Sequence, residues 1–188
     1  MKKRINAPLK KEELVSLHAG DYVYITGTIY SARDAAHKRM YETMMEKKDI
    51  PMNLKDNIIY YLGPTPAREG QVIGSAGPTT SSRMDKYTPM LLDYGLNGMI
   101  GKGKRSKEVI DSIVKNKAVY FAAVGGAGAL LSKCIKKSEV IAYDDLGTEA
   151  IRRMEIEDFH VIVVIDSEGN NLYETAVENF KKNMVKDI

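Results

Sequence analysis

The segment Phe159-His160-Val161-Ile162-Val163-Val164-Ile165-Asp166 carries the most strongly patterned hydrophobic sequence of the chain. Its nearly unbroken run of Val and Ile predicts a β-strand buried on both faces, in the interior of a sheet. Residues 118–124 are also uncharged and rich in β-forming side chains, and they predict a second buried strand. The apolar core is therefore expected to form around a sheet.

Further strands and helices alternate along the chain on either side of these two segments. Period-two patterns predict additional strands at residues 21–30, 57–62, 71–76, 139–143 and 150–157. Apolar residues at helical spacing predict helices at residues 33–48, 79–94, 106–115, 129–135 and 173–185. Pro89 marks a point where the second of these helices bends or restarts. Because strands and short helices alternate without a repeat, the sequence predicts a layered α/β domain with a mixed sheet.

The length and composition indicate one domain. The chain has 188 residues, of which 44% are hydrophobic and 28% are charged, as is ordinary for a globular protein. This length is enough for a substantial core. We expect a single domain over residues 1–188, in which the polar, lysine-rich residues 1–20 form an arm that packs on the domain or on a partner.

The net charge and the lengths of the apolar stretches argue against nucleic acid and membranes as partners. The formal net charge is only +3, and the Lys and Arg residues are scattered among Asp and Glu, which argues against a nucleic-acid-binding protein. No apolar stretch approaches the ~20 residues of a membrane span. The beginning, Met1-Lys2-Lys3-Arg4-Ile5, lacks the apolar core of a signal peptide. We therefore expect a cytoplasmic protein that binds neither nucleic acid nor a membrane.

Potential metal ligands are few. Cys134 is the only cysteine, and the only histidines are His18, His37 and His160. One thiol cannot form an internal disulfide, and it cannot by itself hold a zinc ion or an iron–sulfur cluster. The sequence therefore predicts no metal site within this chain, and any metal chemistry would need ligands from another chain.

The strongest candidate motif is Gly77-Pro78-Thr79-Thr80-Ser81-Ser82-Arg83-Met84-Asp85. Its hydroxyl residues follow a Gly-Pro turn and precede a predicted helix, whose unpaired N–H groups attract anions. On that helix Thr79 and Arg83 would face the same side, because they are four residues apart. Together they suit a carboxylate or phosphate. The alternative is that Thr79 or Thr80 only caps the helix and Arg83 forms a surface ion pair.

Two further motifs place a cation beside a turn. Gly101-Lys102-Gly103 has glycines that let the backbone pass close to a ligand, and a lysine that meets its charge; a plain turn is the alternative. Arg33 follows a predicted strand, where α/β proteins commonly bind ligands, and Asp34 can cap the next helix. The alternative there is a capped helix with a solvated basic face, and we assign His37 to that face.

Other motifs are interpreted as structural. Gly125-Gly126-Ala127-Gly128 lacks the spacing of a dinucleotide-binding loop, so close packing of a strand and a helix explains it better. Cys134 is interpreted as a core residue. Asp144-Asp145 is interpreted as a loop cap rather than a metal ligand. The methionines of the first long helix are assigned to the core or to a subunit contact: Met40, Met44 and Met45.

The order of these motifs resembles that of one family. In chain order the motifs are Ala-Arg-Asp-Ala-Ala-His-Lys-Arg (32–39), Gly-Pro-Thr-Thr-Ser-Ser-Arg-Met-Asp (77–85), Ile-Gly-Lys-Gly (100–103), Ala-Val-Gly-Gly-Ala-Gly-Ala-Leu (123–130) and Asp-Asp-Leu-Gly (144–147). They resemble the β subunit of iron–sulfur hydro-lyases, the class I fumarase and L-tartrate dehydratase family. The resemblance extends over residues 14–182, and its most specific parts are the threonine-rich and Gly-Lys-Gly motifs.

The resemblance implies a fold, a cofactor and a partner. The fold is a swivelling β/β/α domain. The partner is an α subunit whose three cysteines hold a [4Fe–4S] cluster, and the two subunits are expected to form a hetero-oligomer of the α2β2 type. The cofactor would therefore not be bound by this chain alone.

The resemblance also implies roles for single residues. Arg33, Arg83 and Lys102 match family positions that hold the carboxylates of a small dicarboxylate substrate. Thr79 matches the residue thought to take a proton from the substrate carbon during dehydration. The chain departs from the usual family sequence around this position, so the choice between Thr79 and Thr80 stays open. A competing role for Thr79 is that of an orienting hydrogen-bond donor.

We therefore interpret the sequence as the β subunit of a two-component hydro-lyase that hydrates fumarate reversibly to L-malate. One alternative is the β subunit of L-tartrate dehydratase, whose substrate carries one more hydroxyl. Alternatives from other classes are a non-catalytic dicarboxylate-binding module and a purely structural subunit.

Overall fold

The computed structural model describes residues 2–123 and 128–176, and its strands form one seven-stranded mixed sheet. The strands are β1 (Lys2–Ala7), β2 (Tyr22–Ser31), β3 (Ile58–Tyr60), β4 (Gly98–Gly101), β5 (Val119–Ala122), β6 (Ile135–Ala142) and β7 (Ile151–Ile165). Neighbouring strands from β1 to β5 are parallel, whereas β7 is antiparallel to its neighbours. The predicted α/β class with a mixed sheet is confirmed.

Strand β7 closes the sheet on itself. It pairs with β5 at residues such as Phe121 and with β2 at residues such as Ile25. The pairings β2–β3–β4–β5–β7–β2 therefore form a closed circuit, and full closure removes the exposed edges of those strands. The predicted interior strand is confirmed, because Phe159, Val163 and Ile165 are fully buried. The two strands predicted at residues 150–157 and 159–166 are one continuous strand.

The helices are short and follow the strands. They are α1 (Lys11–Leu14), α2 (Asp34–Met45), α3 (Thr88–Asp93), α4 (Lys107–Asn116) and α5 (Gly128–Cys134), with 3-10 helices at Ser81–Met84 and Asp144–Glu149. Helix α4 begins where Ser106 Oγ accepts a hydrogen bond from the Val109 N–H, and it ends at Lys117 in the left-handed conformation. A helix begins at Leu172, and the rest of the helix predicted at residues 173–185 lies outside the described residues. None of the helices in the described ranges is long and apolar enough to cross a membrane.

Alternating side chains divide the core between the two faces of the sheet. Tyr60 joins Phe121 and Phe159 in the core enclosed by the strand circuit. The neighbouring residues of β3 point the other way, and Ile59 joins Met40 of α2 in the core between the sheet and the helices. This follows from the period-two geometry of a strand. Among the methionines of α2, Met40 and Met44 are buried, whereas Met45 is 58% exposed.

The N-terminal arm packs on the domain as a strand. β1 runs parallel to β2, with Lys3 opposite Val23. Only Ile5 and Ala7 of this strand are buried. The other residues are mostly polar, and for this reason the sequence pattern does not predict a strand here. The ion pair between Lys3 and Asp21, 2.8 Å long, also joins the arm to the start of β2.

Two predicted elements are wrong. Residues 71–76 do not form a strand but an irregular segment. Here Gly74 lies so close to the backbone of Thr65 that a Cβ would overlap it, and a glycine within a strand pattern often marks such a close backbone approach. Residues 79–94 are not one helix. Thr80 is extended, the 3-10 helix covers only Ser81–Met84, and Pro89 lies in the first turn of α3, where proline is well tolerated.

Candidate active site

The predicted site residues lie at the carboxyl ends of the parallel strands. Arg33 follows the end of β2, and Lys102 directly follows β4. The backbone N–H of Thr79 donates to the carbonyl of Tyr61, directly after β3, over 2.7 Å. Three neighbouring parallel strands therefore deliver these residues to the same edge of the sheet. In both closed and open α/β sheets, ligands commonly bind at the carboxyl ends of the parallel strands.

Asp34 joins the two predicted arginines. Its carboxylate lies 2.6 Å from Nε of Arg83 and 3.4 Å from Nη2 of Arg33. The same Nη2 lies 3.2 Å from the carboxylate of Glu149. Gly63 leaves room for Arg33, because a Cβ at this position would come within 2.6 Å of Arg33 Nη1. Asp34 is the first residue of α2, and its carboxylate pairs with these guanidinium groups instead of serving as the predicted helix cap.

The threonine-rich turn pairs with the Gly-Lys-Gly turn through the backbone. The Lys102 N–H donates to the Thr79 carbonyl over 3.3 Å, and the Ser81 N–H donates to the Lys102 carbonyl over 2.9 Å. Thr80 and Lys102 form a parallel bridge. Thr79 is half-buried, whereas Thr80 and Lys102 are exposed.

This pairing corrects the geometry predicted for the turn. Thr79 and Arg83 do not share a helical face, because the 3-10 helix begins only at Ser81. The backbone before it is extended and hydrogen-bonds to Tyr61 and Lys102. A four-residue 3-10 helix also has a much weaker dipole than the long helix that the pattern predicted. The positive charge at this edge therefore comes from side chains.

Tyr120 supports both turns from below. Its hydroxyl lies 2.8 Å from Ser81 Oγ and donates to the Gly103 carbonyl over 2.9 Å. Burial raises the pKa of Tyr120, so the hydroxyl stays protonated near neutral pH. A Cβ at Gly101 would overlap Ser81 Oγ. This close approach explains why a glycine precedes Lys102.

Arg105 is a buried cation beneath the same turns, and sequence reasoning missed it. Its side chain is 0% exposed and pairs with Asp85 over 2.6 Å. It also donates to Thr88 Oγ1 over 2.8 Å and lies over the rings of Tyr61 and Tyr120. Burial acts to lower the pKa of Arg105, but the oxygens of Tyr61, Asp85 and Tyr120 outweigh it and the pKa is raised.

His37 is buried beside Arg33, so its assignment to a solvated face was wrong. Its side chain packs edge-on against Tyr61, with ring centroids 5.3 Å apart. Nδ1 donates to the Arg33 carbonyl over 2.8 Å, and Nε2 has no partner among the described residues. Burial lowers the pKa of His37 to about 4, despite the opposing effect of the Arg33 carbonyl. The ring is therefore neutral near pH 7 and holds the carbonyl of Arg33 in place.

The remaining motifs lie outside this group. Cys134 is buried, as predicted, and burial raises the pKa of its thiol. Asp145 forms a two-bonded ion pair with Arg39 at 2.7 and 2.8 Å. Residues 125–127 of the glycine-rich motif lie outside the described residues.

The described side chains at this strand edge lack the ligands that a metal ion or iron–sulfur cluster needs. Thr79, Arg33, Arg83 and Lys102 offer three cations and a hydroxyl, which are not the ligands that iron–sulfur clusters use. In the described ranges no group of three or more His, Cys, Asp or Glu residues is arranged around a common point. The residues of this edge therefore fit an anionic ligand and do not fit a cluster.

Fold and site together define a class of protein: an α/β domain whose carboxyl strand edge carries cations and hydroxyls suited to a small anion. Within that class, the sequence model of the family described as "Fumarase C-terminus" matches residues 2–176. The chain belongs to this family. The resemblance drawn from the motifs is confirmed.

Curated relatives extend this match. The chain is 37% identical, over 97% of its length, to the anaerobic class I fumarate hydratase of Escherichia coli K12, and spans 34% of that protein. It is 37% identical over 89% of its length to fumarate hydratase 2 of Leishmania major, and spans 30% of it. It is 36% identical to the provisionally named L(+)-tartrate dehydratase subunit beta of Methanocaldococcus jannaschii, with 88% of each chain covered. The chain thus spans about a third of the length of these fumarate hydratases.

Proposed function

We propose that this chain is the β subunit of a two-component hydro-lyase of the fumarate hydratase type, which adds water reversibly across fumarate to give L-malate. The observation that carries this proposal is the link Arg33–Asp34–Arg83, which holds two arginines at the strand edge that also carries Lys102. A dicarboxylate brings two negative charges to this edge. The M. jannaschii relative, which is named as a tartrate dehydratase subunit beta and is 36% identical to this chain, supports the assignment to a β subunit.

Arg33, Arg83 and Lys102 have different roles in binding the substrate carboxylates. Arg83 uses Nε to bind Asp34 and is half-exposed, so its outer N–H groups are available to grip one substrate carboxylate in the two-bonded manner typical of arginine. Lys102 is exposed beside it and supplies a point charge. Arg33 is only 21% exposed and is paired on one side with Glu149, which fixes the direction in which it meets a substrate.

Thr79 supplies the hydroxyl of the proposed site: it lies four residues before Arg83, and its carbonyl accepts a hydrogen bond from the Lys102 N–H. In the dehydration direction its oxygen, deprotonated to the alkoxide, takes the proton from the substrate carbon next to a carboxylate and becomes the neutral hydroxyl, and hydroxide leaves the neighbouring carbon as the double bond forms. A neutral threonine is a weak base, so this role requires the positive surroundings that Arg83 and Lys102 offer. The competing role is that Thr79 donates a hydrogen bond that orients the substrate.

The [4Fe–4S] cluster is proposed to lie on a partner α subunit, since this chain has one cysteine and the edge carries no cluster ligands. When bound, such a cluster would supply a Lewis acid for the leaving hydroxyl. This chain would then contribute carboxylate binding and the proton acceptor. We place the assembly, an α2β2 hetero-oligomer, in the cytoplasm, without contact to nucleic acid or membrane.

L-tartrate dehydratase is the second candidate function, and the M. jannaschii relative supports it because it bears that name and is 36% identical to this chain. The two substrates differ by one hydroxyl. The test is to purify this chain with a three-cysteine partner, reconstitute the cluster, and compare kcat/KM for malate and L-tartrate. We expect malate to be preferred. A preference for tartrate would assign the second function.

A non-catalytic role is tested with the same material. Calorimetry of this chain alone with malate should show no tight binding that depends on Arg83 and Lys102, because the proposed site is completed by the partner. Tight binding without the partner that R83Q and K102Q abolish, together with no turnover in the complex, would assign the chain as a binding module instead.

A further inference from the structure

Arg152 of β7 is a partly buried cation without a counter-ion. Its Nε is buried and makes no hydrogen bond in the described structure. Other partly buried or buried arginines of residues 2–123 and 128–176 pair with carboxylates, as Arg33 does with Glu149 and Arg105 with Asp85. For Arg152 none of the described carboxylates lies within ion-pair distance. A buried guanidinium N–H without an acceptor is costly, so this arrangement requires an explanation.

Two more unsatisfied donors lie close to Arg152. Ser31 is directly opposite Arg152 across the β2–β7 ladder, and side chains opposite each other in a ladder lie on the same face. Ser31 is fully buried, and its Oγ has no hydrogen-bond partner in the described ranges. Nε of Arg33, two residues further along, is also buried without a partner. A buried donor without an acceptor is rare in folded proteins.

A cavity adjoins Arg152. It has a volume of about 380 Å³, and Arg152 lines it together with Thr65 and Thr148. Arg33 does not line it, but Glu149, the ion-pair partner of Arg33, directly follows the lining residue Thr148. Asp144 also lines the cavity but is exposed and forms no ion pair with Arg152. The volume accommodates a phosphate or a small carboxylate, since one water occupies only about 30 Å³.

We propose that this cavity, the Arg152 pocket, is a second oxyanion-binding site, distinct from the edge that carries Arg83 and Lys102. Arg152 supplies the charge, and the ligand is a small molecule that bears a phosphate or a carboxylate. An oxyanion is the chemistry that a guanidinium without a counter-ion recognises. The site does not depend on the proposed hydratase activity.

Inorganic phosphate and succinate are the probes, and the test uses the full chain carrying R83Q and K102Q, so that the candidate active site contributes no anion binding. Calorimetry should show one site for at least one of the two probes, and the stronger probe identifies phosphate or carboxylate as the group recognised. Adding R152Q should weaken binding at least about tenfold, the loss of one charged hydrogen bond. Because the assay involves no turnover, its failure leaves the proposed hydratase function untouched.

Arg153→Gln is the matched control, since Arg153 is the next residue, is 41% exposed and already pairs with Glu139. It should change binding by less than about twofold. In buffer without either probe, R152Q should melt no lower than the parent chain, because it removes a charge that has no partner. Absence of binding by the parent, equal binding by R152Q, or a lower melting temperature of R152Q would each overturn the proposal.

Discussion

The carboxylate of Asp34 lies 2.6 Å from Nε of Arg83 and so ties an arginine of the threonine-rich turn to the first residue of helix α2. The same carboxylate lies 3.4 Å from Arg33. Two guanidinium groups from distant parts of the sequence are thereby oriented by one acid. Each keeps N–H groups for a ligand, and this is the relationship on which the proposed carboxylate-binding role rests.

Asp34→Asn should misorient both arginines. The amide keeps the size of the side chain but removes the charge that holds Arg83, so we expect kcat/KM for fumarate to fall about 10- to 100-fold in the reconstituted complex, mostly through KM. Steady-state kinetics provide the measurement. Asp145→Asn is the control, because Asp145 pairs with Arg39 in the same manner on an exposed surface. If both variants behave alike, Asp34 has no special role.

Single alanine variants should show which of the two threonines, Thr79 or Thr80, has the catalytic role. Thr79 is half-buried, and its backbone hydrogen-bonds to Tyr61, directly after β3, and to Lys102. The side chain of Thr80 is exposed. We expect Thr79→Ala to lower kcat at least about 100-fold, as for loss of a group that transfers a proton, and Thr80→Ala to lower it less than about threefold. Thr79→Ser should retain much of the activity. The reverse order for the two alanine variants would assign the role to Thr80.

Tyr120→Phe should destabilise the Gly-Lys-Gly turn without creating a cavity in the core. It removes the hydroxyl that contacts Ser81 and Gly103 and keeps the ring that lies against Arg105. We expect a loss of about 1–2 kcal/mol in the free energy of unfolding, since the Gly103 carbonyl loses its donor, and an increase of KM for fumarate. Urea denaturation and kinetics are the measurements. Tyr22→Phe, at a 55% exposed position, should leave both quantities unchanged.

His37 should make stability depend on pH. Its pKa is about 4 in the folded chain, against 6.5 as the ordinary value, so the unfolded chain binds the proton more tightly. The stabilisation is complete above pH 6.5 and is lost as the pH falls through 4, by about 3 kcal/mol. The free energy of unfolding, measured by urea denaturation between pH 4 and 7, should show this decline.

His37→Gln provides the comparison for that decline. The glutamine amide can still donate to the Arg33 carbonyl but does not titrate. Its unfolding free energy should be lower than that of the parent at pH 7 and should vary less between pH 6.5 and 4. An equal slope for the two chains would show that other groups cause the pH dependence.

Much of the fold follows from the sequence because its signals are local. The Val and Ile run of β7 and the Met spacing of α2 each reflect burial of a single element. Strand β1 could not be predicted in this way, because only Ile5 and Ala7 of it are buried and the rest of its support is pairing with β2. The strand expected at residues 71–76 failed because a close backbone approach at Gly74 overrides the local pattern.

Some residues of the candidate site could likewise be predicted from the sequence, and others could not. Arg33, Thr79 and Lys102 could be selected because each follows a strand or lies at a turn. Arg105 could not, since it lies in a basic stretch that resembles a solvated surface, and its burial depends on Asp85 and aromatic rings distant in sequence. The burial of His37 could not be predicted for the same reason, because Tyr61, which packs against it, is distant in sequence.

The most direct test of the central claim, that this strand edge binds the carboxylates of the substrate, is kcat/KM for fumarate in the reconstituted complex with Arg83→Ala. The control is Arg39→Ala, because Arg39 forms an equivalent ion pair on the same helix as Asp34 but away from the site. We predict a loss of at least about 100-fold for Arg83→Ala, the size expected when one partner of a hydrogen-bonded charge pair with the substrate is truncated, and less than about twofold for Arg39→Ala. Equal activity of the two variants would contradict the claim.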